Sequence, residues 1–235
     1  MKWLRTLVIF DMGSVVKSAD WRKIHESYVR SIQSVDFPEG SGKLKLRRKT
    51  KRPDGQWDRN GVVYLKNRFI EHMITVEGWR REFGFKLGKN KTPPVIQLYP
   101  SRKPYTEPIT SKFGNFDFVT TSGRTHVAIE WETGNISSSH RSMNKLGLAL
   151  TTATVQIGVL IVPSRELYAN LTDRIGNIGE LSGYLSVWKD LETRIDRGLL
   201  AISVVEHDEL TDDPRFPYFR AIEAGRARQG RAKRR

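Results

Sequence analysis

Glu130 and Glu132 stand two residues apart in Thr-His-Val-Ala-Ile-Glu-Trp-Glu (125–132), and Asp117 lies just upstream in Asn-Phe-Asp-Phe-Val-Thr (115–120). In a strand, residues two apart project to one face, so the two glutamates emerge together and Trp131 turns the other way. Asp117 can meet them from a neighbouring strand. Three carboxylates at a sheet edge repel one another unless a divalent cation sits among them, and hard oxygen donors suit Mg²⁺. The chemistry implied is metal-assisted phosphodiester hydrolysis, with a further carboxylate to accept or steer the proton of the attacking water. An E-x-E pattern also marks ordinary solvent-facing strands. Here Val127 and Ile129 fall opposite the acids and anchor the strand, while Phe116 and Phe118 give the acids apolar, partly desolvated surroundings.

The elements that must position these residues follow from periodicity. The two runs carrying the acids form strands joined by a short turn with Ser122 and Gly123, which pairs them as a hairpin. Ser137, Ser138 or Ser139 can cap a helix bearing Met143, Leu146 and Leu150, and the apolar run 155–162 is a buried strand. A right-handed crossover makes that strand parallel to the one bearing Glu130. Upstream, Trp21, Ile24, Tyr28 and Ile32 mark an amphipathic helix entered at Ser18 and Asp20 and ending near Pro38. Leu65, Phe69, Met73 and Val76 mark a second, running from Val63 to about Gly84, with Asn67 and Glu71 sharing another face. Five prolines between Pro93 and Pro108 exclude a helix there. A helix over 180–197 and a strand over 200–205 complete the expectation of an α/β fold, a central mixed sheet flanked by helices.

At 235 residues, with 38% hydrophobic residues and six Trp, the chain can bury one core. We expect one domain over 1–224, with a basic loop or β-ribbon inserted at 43–59, and a basic tail at 225–235. The opening Met-Lys-Trp-Leu-Arg-Thr-Leu-Val-Ile-Phe-Asp resembles a short signal core but lacks a small-residue cleavage site, so a strand is expected and the protein is placed in the cytoplasm without a membrane segment. No cysteine is present, which excludes disulfides, thiolate nucleophiles and Cys-ligated zinc. The net charge of +14 is concentrated in two windows free of acids: Lys43, Lys45, Arg47, Arg48, Lys49, Lys51 and Arg52, then Arg226 to Arg235. Such segments suit nucleic-acid phosphates, or are a solvated loop and a frayed tail. His25, His72, His126 and His207 show no metal-ligand spacing, and Ser137 to Ser139 lack the G-x-S-x-G of a nucleophile elbow.

The order Phe-Asp-Phe (116–118), Thr-His-Val-Ala-Ile-Glu-Trp-Glu-Thr-Gly-Asn (125–135), a Ser-capped helix with His-Arg-Ser-Met-Asn-Lys-Leu (140–146), and Val-Gln-Ile-Gly-Val-Leu-Ile-Val-Pro (155–163) resembles the PD-(D/E)xK nuclease core. Within it, Glu132 in place of the usual Lys resembles the BamHI/BglII-type restriction endonucleases. The helix Asn-Arg-Phe-Ile-Glu-His-Met-Ile-Thr-Val-Glu-Gly-Trp (67–79) is similar to that branch's helix before the hairpin, so the resemblance covers roughly 60–165. It implies Asp117 and Glu130 as metal ligands, the Trp131 backbone carbonyl as a further ligand, and Glu132 acting on the water. Asn67 or Glu71 would add a polar group from the helix. His140, Arg141, Asn144 and Lys145 would touch phosphate or a second subunit, unless they form a solvated face. The function implied is a type II restriction endonuclease acting on double-stranded DNA as a homodimer, with Mg²⁺ or Mn²⁺, no organic cofactor, and a short palindrome centred on GATC. Two alternatives remain from the residues: a repair or mobile-element nuclease with little sequence preference, and a basic DNA-binding protein whose acids are incidental.

Overall fold

A computed structural model describes residues 1–86, 112–172 and 175–219. The proline-rich stretch and the basic tail fall outside these residues. The chain opens with strand β1 (Lys2–Met12), as the sequence suggests. Helix α1 (Ala19–Gln33) starts where Ser18 Oγ accepts the Trp21 N–H at 3.1 Å, and it buries Trp21, Ile24, Tyr28 and Ile32. The basic segment forms the short strands β2 (Lys45–Arg47), β3 (Thr50–Lys51) and β4 (Trp57–Asp58), and its Leu44 and Leu46 are fully buried. Helix α2 (Val63–Thr75) is shorter than its periodicity suggested. Val76, expected on the buried stripe, is 65% exposed, and Gly78 at φ 71° turns the chain into strand β5 (Arg80–Lys86).

Strands β6 (Lys112–Ser122) and β7 (Thr125–Trp131) form the expected hairpin, with Gly123 at φ 57° in its turn. Helix α3 (Ile136–Thr151) follows, then strand β8 (Ile157–Pro163), buried throughout. The cap of α3 is not one of the three serines. Asn135 Oδ1 accepts the Ser138 N–H at 3.1 Å, because the chain has already turned at Gly134 and Ser139 is inside, fully buried. After the short helix α4 (Arg165–Ala169), the continuous helix expected over 180–197 is instead a series of short turns that includes α5 (Ile178–Leu181) and α6 (Leu185–Lys189). Gly179, Ser182 and Gly183 disfavour continuation, and a capping box between Asn177 and Glu180 fixes the start of α5. Strand β9 (Gly198–Glu206) and the short β10 (Glu209–Thr211) complete the described chain.

Six strands form one sheet in the order β1-β9-β8-β7-β6-β5. β7, β8 and β9 run parallel in the middle, and β1, β6 and β5 pair antiparallel outside them. The β7–α3–β8 crossover is therefore parallel, with Glu130 level with Leu160. Alternation sends Val127, Ile129 and Trp131 into a core shared with α1 and α2. Ala128 points the opposite way, into a second core built with Met143, Leu146 and Leu150 of α3 and Trp188 of α6. Helices thus cover both faces, and Glu130 belongs to the α3 face. Among the described residues no helix is long and apolar enough to cross a membrane.

Candidate active site

The β6–β7 ladder runs from Ser122–Thr125 to Phe118–Ile129 and ends there. One step on, the Asp117 carboxylate accepts the Trp131 N–H at 2.9 Å, closing the ladder with a side chain in place of a backbone carbonyl. Strict alternation breaks across Asp117. Phe116 packs in the α3-side core, while Phe118 packs in the other, with its ring centroid 5.4 Å from that of Phe69. Phe116 alone therefore shares the acids' side, contrary to the expectation for both rings.

Glu130 is 5% exposed and faces α3. Ser142 Oγ donates to its Oε2 at 3.5 Å, and Lys145 Nζ forms an ion pair with its Oε1 at 2.5 Å. Burial pushes the Glu130 carboxyl up to about 7; the Lys145 ammonium opposes this, and the Asp117 and Glu132 charges add to it. Glu132, 8% exposed, folds back so that Oε1 accepts the Gly134 N–H at 2.5 Å. Its carboxyl is also raised, chiefly by burial. The Gly134 bond and the charges of Arg141 on α3 and Lys66 on α2 pull against that, and Asp117 adds to it.

The three acids thus meet at one end of the sheet, but each carboxylate is held by a different neighbour. Among the described residues, no three acidic or imidazole groups are gathered as a metal-binding set. The donor chemistry nevertheless fits a hard divalent cation: the donors are carboxylate oxygens, two of the acids are buried, and Glu130 Oε1 already faces a positive charge, the Lys145 ammonium.

The other expected residues divide. Trp131 turns away as foreseen, its ring 4.2 Å from that of Phe69. Asn67 and Glu71 are not brought to the acids: both are exposed, and Glu71 pairs with Arg68 at 3.6 Å. Burying Leu65, Phe69 and Met73 leaves Lys66 as the α2 residue whose charge reaches Glu132. On α3, His140 packs edge-on against Tyr184 at 4.4 Å, and Asn144 Oδ1 accepts the Trp188 indole N–H at 3.1 Å. Both are spent on the 178–194 segment, which leaves Arg141 exposed and Lys145 turned into the acids.

The basic ribbon is partly neutralised. Lys43 and Lys45 reach Glu209, Arg48 pairs with Asp212 and Arg52 with Asp58, while Arg47 donates to the Pro214 carbonyl at 3.1 Å. Lys51 is exposed, and Lys49 is half-buried with its ammonium 5.4 Å from the Trp57 ring. The sequence reading missed the placement of Ser142, Lys145 and Lys66 beside the acids. The available signal was the three-residue spacing of Ser142 and Lys145, which puts both on one helix face.

The family model of restriction endonuclease BamHI matches residues 1–228. The type II restriction enzyme OkrAI of Oceanobacter kriegii is 34% identical over 180 residues, 77% of each chain. The type II restriction enzyme BamHI of Bacillus amyloliquefaciens is 34% identical over 131 residues, 54% of each chain. Among solved structures, the restriction endonuclease BglII complexed with a DNA 16-mer superposes with a TM-score of 0.51 at 9% identity, covering 87% of this chain and 79% of that one, a likeness of fold. With the match extending over nearly its whole length, the chain belongs to the BamHI family of restriction endonucleases.

Proposed function

We propose that this protein is a Mg²⁺-dependent type II restriction endonuclease that hydrolyses both strands of double-stranded DNA at a short palindrome. The observation that carries the mechanism is the closeness of Asp117, Glu130 and Glu132 at the end of the β6–β7 hairpin, near enough for their charges to act on one another, with both glutamates buried. Asp117 and Glu130 would hold the cation, with the Trp131 carbonyl as a further ligand. Once bound, the cation would neutralise the scissile phosphate and acidify a water. Glu132 would orient that water and take its proton. The Gly134 N–H fixes its Oε1, and burial raises its basicity above that of an ordinary carboxylate. Lys49, Lys51 and Arg141 give phosphate contacts, which supply affinity but no sequence information. A palindrome presents two equivalent strands, so a two-fold homodimer places one acid cluster on each. The site of action is the cytoplasm, where DNA is met.

The test is incubation of purified protein with bacteriophage DNA in Mg²⁺, Mn²⁺ or Ca²⁺, followed by mapping of fragment ends. Discrete fragments are expected in Mg²⁺ and Mn²⁺ and none in Ca²⁺, which occupies oxygen sites but activates water poorly. A smear would favour a nuclease without strong sequence preference. Binding without cutting in any metal would make the acids incidental.

A further inference from the structure

We propose that Lys145 is the resident cation of the acidic site, a positioning residue that holds Glu130 in the metal-free protein and yields its place when a divalent ion binds. The inference rests on reading the acids as a metal site. A lysine on a helix ordinarily extends its ammonium into water, where hydration is strongest. Lys145 does the reverse. Its side chain is 13% exposed, and its Nζ lies 2.5 Å from Glu130 Oε1, 2.6 Å from the Asn115 carbonyl and 5.0 Å from the Phe116 ring centroid. A carboxylate oxygen and a backbone carbonyl around one positive charge are the kind of ligands that a hard cation takes.

Glu130 carries a side chain 7% exposed, and the charges of Asp117 and Glu132 bear on it, so an ionised Glu130 needs a nearby cation. Lys145 supplies one from α3 and draws Oε1 towards Asn115. A divalent ion that takes Oε1 must therefore displace or share this ammonium, and binding becomes an exchange of cations. Two opposite outcomes separate this from a merely structural lysine. Removing a competing charge makes the site more negative and tightens divalent binding, whereas removing a structural prop loosens Glu130 and weakens it.

The experiment is calorimetric titration of the full-length protein with Ca²⁺, for the native chain, Lys145→Met and Lys145→Arg, with circular dichroism to check folding. Lys145→Met is expected to bind Ca²⁺ about tenfold or more tightly. Its melting temperature without metal should fall below the native value, and Ca²⁺ should raise it by more than it raises the native protein. Lys145→Arg, which keeps the charge, should stay within about threefold of native affinity. Native Ca²⁺ binding with no gain in a folded Lys145→Met overturns the role of Lys145 and leaves the metal site standing. No Ca²⁺ binding by either protein overturns the metal site and the proposal together. Should Lys145→Met not fold, Lys145→Gln removes the charge while keeping a donor for Asn115, and the same gain is expected of it.

Discussion

Glu130 and Glu132 are two residues apart and share one end of the sheet, yet they stand in different electrostatic settings. Glu130 faces an ammonium and a serine, whereas Glu132 is tied to a backbone N–H of the turn that follows it. In the proposed mechanism that difference divides their tasks, one holding the cation and the other handling the water. Replacing Asp117 or Glu130 by Ala is expected to abolish divalent binding and cleavage together, read by calorimetry and single-turnover assays. Glu132→Ala should keep DNA binding and at least one metal while cleavage falls by about 10²- to 10⁴-fold, the usual cost of losing a positioned general base. The three losses should be non-additive, since the residues act as a unit. Near-native cleavage by folded Glu132→Ala would leave the E-x-E pattern as an ordinary strand. The spacing of the acids was readable in the sequence because strand alternation is local. The inward turn of Lys145 was not, because it depends on where α3 lands on the sheet.

At the level of elements, the β7–α3 turn couples backbone to chemistry. A Cβ at Gly134 would lie 2.9 Å from both Glu132 Oε1 and Ser138 Oγ. Gly134→Ala must therefore push Glu132 off its N–H or shift the start of α3. The expected result is a folded protein with cleavage reduced on the order of a hundredfold, since misplacing a reacting group by about an ångström has that cost. Melting curves and single-turnover rates on the same preparation check it; undiminished cleavage would show that the turn tolerates a side chain. The basic ribbon gives a second expectation. Lys49→Ala and Lys51→Ala should each weaken DNA binding evenly across sequences and lower the slope of log affinity against log salt by about one. Arg48→Ala should change that slope less, because its guanidinium is engaged by Asp212. Equal slopes for all three would mean that the Asp212 pair opens on DNA. Sequence alone showed the ribbon's charge, but its pairing with 209–218 joins segments more than 150 residues apart.

For the molecule as a whole, stability should respond to pH through its buried and half-buried histidines. His207, 7% exposed, has no hydrogen-bond partner for Nδ1, and burial holds its pKa below the ordinary 6.5. His25 and His72 are lowered for the same reason. A depressed imidazole gives stability that is complete above pH 6.5 and is lost as pH falls through the folded value, because the unfolded chain binds the proton first. The raised carboxyls of Glu130 and Glu132 act with the opposite sign, losing stability as pH rises through about 7 in the case of Glu130. The histidine effect is therefore best isolated as a difference. In urea unfolding of metal-free protein, His207→Gln should lose less stability than the native chain between pH 7.5 and 5, and parallel losses would show that His207 is protonated at no cost.

Local rules carried the sequence far: the α1 stripe, the hairpin bearing the acids, the apolar β8 run and the parallel crossover all depend on periodicities of two or 3.6 and on short connections, which a chain displays residue by residue. They failed where neighbours in space outweighed neighbours in sequence. Helix α2 stopped at Thr75 because Gly78 and the pairing of β5 with β6 claimed the next residues for the sheet. Asn67 and Glu71 were left outside because the burial of Leu65, Phe69 and Met73 set the rotation of α2. Periodicity places a side chain on a face of its own element. Only the packing of one element on another decides what that face meets, which is why the sequence could set two glutamates on one side of a strand while the lysine beside them stayed hidden.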